Sequence, residues 1–549
     1  MKTSLLWGLM LAAVAAQGET DWTRLNVAAR EHAKTPIRAG VPGVRPFWNA
    51  HAKAFIHPPA FEFPEVKGAK ADHFVLTAMD GRAGRPRPAD AARPEAAPYQ
   101  AWVLSKPWLP IPADVWDSLK PGYYTLRVTG AGPGVASVAG ERTFYRAAVF
   151  QGPYPKGAGD SRTAARRVYA AVYNLPQVQG WKTSDDPPKG YDLYCYPAKI
   201  MGSMIRALVR YSTGGSQFTA TEAGAINCAP PDSTADVRQR IPPDAADALA
   251  IARKMADWLI AHSQPSDAPL AHFPPTYWGD RRDVAVKNAG QNMLLYPAHA
   301  ALAYIDLDTV ARKGTYIDAA MAIARTYVKL QGTDGTWSLK VREKDGSPVR
   351  ANRLVPGRYI LGLFDDLSFD PSVAVARDRA FGYVLNGPVK TWNWDGQFED
   401  MDPMPPYKNL QKGCAVDTAL RFFAQGRVAE GCELGDWCED QFVVWSDPIH
   451  NMDWKHWKTP TALEQYDYYT PIDASMGDMI GAFAAAYKAT GNGIYLEKAK
   501  ALADNITRNQ RADGTIPTYF DSRKGSDWVN CMIYVADRLE VLADVMEGK

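Results

Sequence analysis

Three stretches of this 549-residue chain place an ionisable side chain two positions after a proline. They are Tyr196-Pro197-Ala198-Lys199, Tyr296-Pro297-Ala298-His299 and, more loosely, Thr470-Pro471-Ile472-Asp473. Each opens a long apolar stretch of helical period. Proline suits the first helical turn, where its missing N–H would have no intrahelical partner. A core position would not vary among Lys, His and Asp, whereas a position facing a lumen or cleft can. Tyr191, Asp192 and Tyr194 precede the first start, Asn292 the second, and Tyr466, Asp467 and Tyr468 the third. An ammonium, an imidazole and phenols gathered at one cleft are equipped for proton transfer and for offsetting developing negative charge.

Other segments carry comparable chemistry. In Asn352-Arg353-Leu354-Val355-Pro356-Gly357-Arg358-Tyr359, a tyrosine stands beside two guanidiniums, which favour its phenolate. His272 and Tyr277 lie in a proline-locked loop with Trp278, followed by Arg281, Arg282 and Lys287. Trp392-Asn393-Trp394-Asp395 and Trp454-Lys455-His456-Trp457 add aromatic loops suited to stacking on sugar faces. The nine histidines fall in no HExxH or HxH pattern, and no EF-hand loop, GxSxG or Walker-type loop occurs. No metal or cofactor is therefore expected, although Asp and Glu loops leave room for a structural Ca²⁺.

Two helix types must position these groups. One begins with the proline signature and is apolar behind an ionisable mouth. The other is amphipathic and rich in alanine, and in its two best copies ends in Gln331-Gly332-Thr333-Asp334-Gly335-Thr336-Trp337 and Gln510-Arg511-Ala512-Asp513-Gly514-Thr515-Ile516. A degraded third copy runs from Ala250 to Gln264. Asp-Gly ends a helix and turns the chain. Alternating inner and outer helices close into an α/α toroid, here expected to hold six or seven helix pairs over residues 156–549. Residues 17–155 are proline-rich, with β-like runs at His73–Ala78, Tyr123–Val128 and Thr143–Phe150, and read as a small β-sandwich-like module. Gln151–Arg162 reads as the linker.

Residues 1–16 read as a secretory signal: Lys2, an apolar run from Leu5 to Ala16, and a small-residue cleavage site at Ala13-Val14-Ala15. The chain is therefore expected to be secreted or periplasmic, with no membrane span. With 62 basic and 60 acidic residues, general nucleic-acid binding is not expected. The six cysteines permit disulfides, Cys432 and Cys438 being the nearest pair.

The stretch His272-Phe273-Pro274-Pro275-Thr276-Tyr277-Trp278, then Tyr296-Pro297-Ala298, then Asp334-Gly335-Thr336-Trp337 resembles polysaccharide lyase family 38, whose members are glucuronan or alginate lyases. The likeness covers a minor part of the helical region. It implies β-elimination across a uronic acid, with a tyrosine as acid/base and His, Arg or Asn neutralising the carboxylate. On that reading Tyr359 is the first choice for proton transfer, Arg353 for the carboxylate, His299 for the carboxylate or for assisting the base, and Tyr296 for catalysis or stacking. Tyr191, Asp192, Lys199, His272, Tyr277, Asn292, Arg358, Trp394 and Asp473 are the expected contacts to an acidic polysaccharide. One alternative is a glycoside hydrolase on the same toroid, with Asp192 and Asp473 as its carboxylate pair and Asp417 and Asp395 behind them. Another is a glycan-binding protein without turnover.

Overall fold

The computed structural model describes residues 20–37, 49, 51–79, 99–133, 135–214, 242–394, 412–446, 457–465, 470–522 and 527–549. Twelve helices among them make six outer and inner pairs. The outer helices are α2 (Ser161–Asn174), α4 (Ala245–Ala261), α6 (Thr315–Leu330), α8 (Pro371–Val384), α10 (Val428–Phe442) and α12 (Gly493–Asn509). The inner helices are α3 (Pro197–Ser212), α5 (Tyr296–Ala311), α7 (Arg358–Asp366), α9 (Gly413–Ala424), α11 (Asp473–Thr490) and α13 (Val529–Met546). Helix α1 (Trp22–His32) precedes them.

The inner helices form a ring. Helix α3 packs on α5 and α13, α5 on α7, and α11 on α9 and α13. Ion pairs join α7 to α9: Arg421 grips Asp365 at 2.6 and 2.8 Å, and Arg358 meets Asp417 at 2.8 Å. Gly202 lets α3 and α5 approach, because an added Cβ would sit 3.0 Å from the His299 carbonyl oxygen. The result is an (α/α)6 toroid.

The Gln-x-x-Asp-Gly-Thr element is a joint between neighbouring outer helices. The Gln331 side-chain amide donates to the Gly335 and Ala376 carbonyls, both at 2.8 Å, which ties the end of α6 to α8. Gln510 repeats this at 2.9 Å to Gly514 and Ala164, tying α12 back to α2. The second copy therefore closes the ring. Arg162 reinforces the closure with Asp544 at 2.7 Å.

The N-terminal segment forms one five-stranded sheet in the order β1 (Ala54–Phe55), β7 (Val135–Arg146), β6 (Gly122–Gly132), β3 (Ala71–Ala78), β4 (Gln100–Leu104). Only β1 and β7 are parallel. A two-stranded ribbon, β2 (Ala60–Glu62) with β5 (Trp108–Pro110), lies beside it. The run expected to continue to Phe150 stops pairing at Arg146, and the Phe150 ring instead packs 4.9 Å from Trp445 of the helical region. The expected linker ends early, since Asp160 caps α2 by accepting from the Thr163 N–H at 2.8 Å. The Asp440 carboxylate on α10 accepts from the Ile56 and His57 backbone N–H groups at 2.6 and 2.7 Å, docking the sheet on the toroid. Among the described residues, Cys432 and Cys438 are both free thiols.

Candidate functional site

All six inner helices begin at one end of the ring. Helix N-termini leave N–H groups without intrahelical partners, and surrounding loops supply acceptors. The Ala198 N–H donates to the Pro275 carbonyl at 3.2 Å, so the Pro274-Pro275 loop covers the start of α3. At α5, the Tyr327 hydroxyl from α6 accepts from the Ala298 N–H at 3.1 Å and donates to the Leu294 carbonyl at 2.6 Å. Trp337 of the Asp-Gly-Thr-Trp turn holds Tyr327 by donating to its carbonyl at 2.9 Å. The repeated turn therefore positions the helix start that carries Tyr296 and His299.

Six of the expected residues converge here. The His299 and Tyr359 rings stack, with centroids 3.4 Å apart and an 18° tilt. Tyr296 meets His299 edge-on at 5.7 Å and Tyr196 at 6.1 Å, and Tyr196 lies 5.9 Å from Tyr277. The Lys199 ammonium donates to the Tyr296 hydroxyl at 3.3 Å and sits over the Tyr196 ring. Arg358 lies over Tyr359, with its guanidinium held by Asp417 at 2.8 Å and Asp478 at 2.6 Å.

The electrostatics follow from burial. His299 is buried, and its Nε2 has no hydrogen-bond partner among the described residues. Burial, followed by Lys199, Arg206 and Arg358, holds its pKa well below the ordinary value, so the ring is neutral. Burial raises the pKa of Tyr359, and Arg358 and Arg206 pull it back only in part, so the phenol keeps its proton. This reverses the expectation that guanidiniums would push Tyr359 toward phenolate, because desolvation outweighs them. The second guanidinium acting on Tyr359 is Arg206, not Arg353. Arg353 lies away from the mouth, bound through two nitrogens to Asp334 in the turn after α6.

No family model and no curated protein matches this chain. Solved structures do. It is similar to a family 76 glycoside hydrolase from a bovine Bacteroides thetaiotaomicron strain, at 9% identity over 88% of this chain and 94% of that one, with a TM-score of 0.42. It is similar to a D-mannose isomerase, at 12% identity over 72% and 100%, with a TM-score of 0.45. It is also similar to a polysaccharide lyase, at 10% identity over 89% and 65%, with a TM-score of 0.41. At these identities the likeness concerns the toroid alone.

Other expected residues lie elsewhere. Trp394 is fully buried beside Trp437 of α10, so it fills the outer layer and offers no sugar platform. Tyr191 packs edge-on against Tyr194 at 5.0 Å, and Asp192 is exposed on a short 3-10 turn. His272 is exposed, in a left-handed conformation at φ 64°, with its N–H donating to the Gln264 carbonyl. Asn292 is buried and donates to the Pro274 carbonyl at 3.3 Å, which braces the loop over α3. Asp473 is sealed from solvent, and burial drives its pKa well above the carboxylate range. It is the first residue of α11, whereas Lys199 is the third of α3 and His299 the fourth of α5. The three positions align in sequence but occupy different places on the helical turn. Asp395, Trp454, Lys455, His456, Tyr466, Asp467 and Tyr468 lie outside the described residues.

Several lumen groups were not singled out in the sequence. Arg206 pairs with Asp306 of α5 at 2.7 Å. Tyr534 of α13 donates to Asp478 at 2.7 Å and accepts from Arg538 at 2.9 Å. A signal for them exists. Lys199, Ser203, Arg206 and Arg210 recur at helical spacing along the otherwise apolar α3, and Tyr534 and Arg538 are four apart on α13. Among the described residues, no three His, Cys, Asp or Glu side chains converge as metal ligands, and no helix is long and apolar enough to cross a membrane.

Proposed function

We propose that the chain is an exported polysaccharide lyase that cleaves a uronic-acid polymer of the glucuronan or alginate type by β-elimination. One observation carries the reading: a neutral imidazole stacked on a protonated phenol at the toroid mouth, ringed by Lys199, Arg206 and Arg358. In the step proposed, the His299 Nε2, closed off from solvent in the free protein, takes the proton from C5 of the uronate once the bound sugar displaces the side chains covering it. That C–H electron pair becomes the C4–C5 double bond as the C4–O bond breaks. Tyr359 gives its proton to the departing oxygen. Charge builds on the uronate carboxylate as C5 is deprotonated, and fixed cations lower the cost of that charge. Lys199 and Arg358, both partly exposed, supply the cations within reach.

The paired-carboxylate hydrolase has less support. Asp417 and Asp478 both bind Arg358, and Asp473 is sealed while Asp192 is exposed. A hydrolase needs two carboxyls facing one scissile bond.

Incubation with glucuronan, alginate and pectin tests the reading. Absorbance from unsaturated uronates should grow with new reducing ends. Reducing ends without that absorbance would establish hydrolysis instead. Tyr359→Phe and His299→Ala should each lower kcat by about 10²- to 10⁴-fold with the fold retained by circular dichroism. Near-normal turnover in either variant would remove that residue from the mechanism.

A further inference from the structure

Outside the mouth, Gln264, Ala268 and Pro269 and the hairpin of β8 (Gln291–Met293) with β9 (Lys340–Arg342) line an open cavity of about 680 Å³. Its wall includes Gln264, Pro269, Gln291, Arg342, Glu343 and Lys344. The hairpin is braced locally. The Glu343 N–H donates to the Gly290 carbonyl at 2.9 Å. Arg342 Nη1 donates to the Ser347 hydroxyl at 3.2 Å and the Pro348 carbonyl at 2.7 Å, which holds the guanidinium at the cavity edge.

Two groups in it lack the structural task their sequence context suggests. Gln264 ends the degraded copy of the Ala-rich helix. No Asp-Gly turn follows for its amide to clamp, and that amide lies beside the Glu343 carboxyl instead. Gln291 donates to the Lys287 carbonyl at 3.3 Å, yet its Oε1 is buried with no hydrogen-bond partner among the described residues. A buried amide oxygen without a donor costs about 1–3 kcal/mol, which a ligand hydroxyl would recover.

We propose that this cavity is a second saccharide site that holds an acidic sugar residue. Arg342 and Lys344 face its carboxylate, Gln291 Oε1 and Glu343 accept from its hydroxyls, and Pro269 underlies its C–H face. The choice of an acidic sugar rests on the reaction proposed above; the site itself does not. Gln291 lies five positions before Tyr296, a chain path of at most about 17 Å. A polymer anchored here is presented to the mouth.

Calorimetry of the full-length Tyr359→Phe protein with glucuronan oligomers, D-glucuronate and D-glucose tests the proposal. Adding Arg342→Ala or, separately, Lys344→Glu should weaken oligomer binding at least ten-fold. In the wild-type background each should raise KM for the long polymer by a similar factor at unchanged kcat. Lys344 is exposed, so its variant guards against a folding artefact in the hairpin. Unchanged affinity and KM in both variants, or equal binding of glucose and glucuronate, would overturn the site. Binding lost in the variants of a protein that makes no unsaturated product would sink the reaction and leave the site. Elimination with no effect of either variant would do the reverse.

Discussion

His299 is able to accept a proton only while its ring is neutral, and Tyr359 is able to give one only while its phenol is intact. Burial secures both conditions at once, lowering the imidazole pKa from 6.5 and raising the phenol pKa from 10.0. The two therefore require no ionisation between those limits. On the proposed reaction, the kcat/KM profile should be flat from about pH 6.5 to 10 with respect to this pair. A limb centred inside that range, measured on a uronate polymer, would contradict the assignment. Residue chemistry was partly legible in the sequence, because Lys199, His299, Tyr296 and Tyr359 stand where helices start. Desolvation was not legible, since it depends on which chains fold over a side chain. That is why Tyr359 looked acidified by its arginines when it is in fact the reverse. It is also why Arg353, which binds its own turn, looked like a carboxylate ligand.

Helices carry the next level of constraint. Three of the six inner helices announce themselves by proline near their starts; α7, α9 and α13 begin at Arg358, Gly413 and Val529 without that mark in the first turn. Even so, the alternation was readable, because the Ala-rich partner and its Asp-Gly-Thr ending recur. The position of the joint explains the recurrence: Gly335 and Gly514 have φ of 93° and 90°, and a Cβ there would meet the carbonyls of Arg379 and Arg167. Gly335→Ala and Gly514→Ala should each destabilise the protein by about 1–3 kcal/mol in equilibrium denaturation. A neutral Gly514→Ala would show that the joint does not need its turn. Arg421→Met should cost about 3–5 kcal/mol, because it strips Asp365 of its two-pronged partner between α7 and α9. Its readout is the denaturation midpoint. A loss well under 1 kcal/mol would mean that Arg377, 3.7 Å from Asp365, takes over.

Across the whole molecule, helix α1 and the toroid meet through a polar seam. His32 pairs with Asp436 at 3.0 Å, Tyr495 donates to the same carboxylate at 3.2 Å, and Lys498 meets Glu439 at 2.5 Å beneath them. His57 lies 5.5 Å from His32 and is held near a pKa of about 3 by burial and by His32, so it stays neutral. Asp436 raises the pKa of His32 above 6.5, and burial opposes it. Burial pushes the Asp436 carboxyl up, but His32, with His57 and Lys498 behind it, holds its pKa below 3.8. The histidine's contribution is present below pH 6.5 and is lost as pH rises through its raised folded value. The carboxylate's is present above pH 3.8 and is lost as pH falls through its depressed one. The Tm gap between wild type and His32→Gln should therefore be widest between about pH 4 and 6.5 and shrink on the alkaline side. An equal gap at pH 5 and pH 9 would assign His32 a packing role only. None of this seam was visible in the sequence, because its partners are remote: His32 and Asp436 are separated by 404 positions, and Tyr495 and Lys498 each reach back 59 to Asp436 and Glu439.

The same distance governs the ring. Gln510 reaches Ala164 across 346 positions, and Arg162 reaches Asp544 across 382. Neighbouring helix pairs can assemble locally, but closure must wait for the last helix to find the first, and contacts this remote in sequence slow folding. Helix α13 also supplies Tyr534, which donates to the lumen carboxylate Asp478 that grips Arg358, and Arg538, which donates to Tyr534. A ribosome-bound chain still missing its final segment would have His299 and Tyr359 already made and no finished chamber around them. Activity, on this account, switches on with closure rather than growing as helix pairs are added.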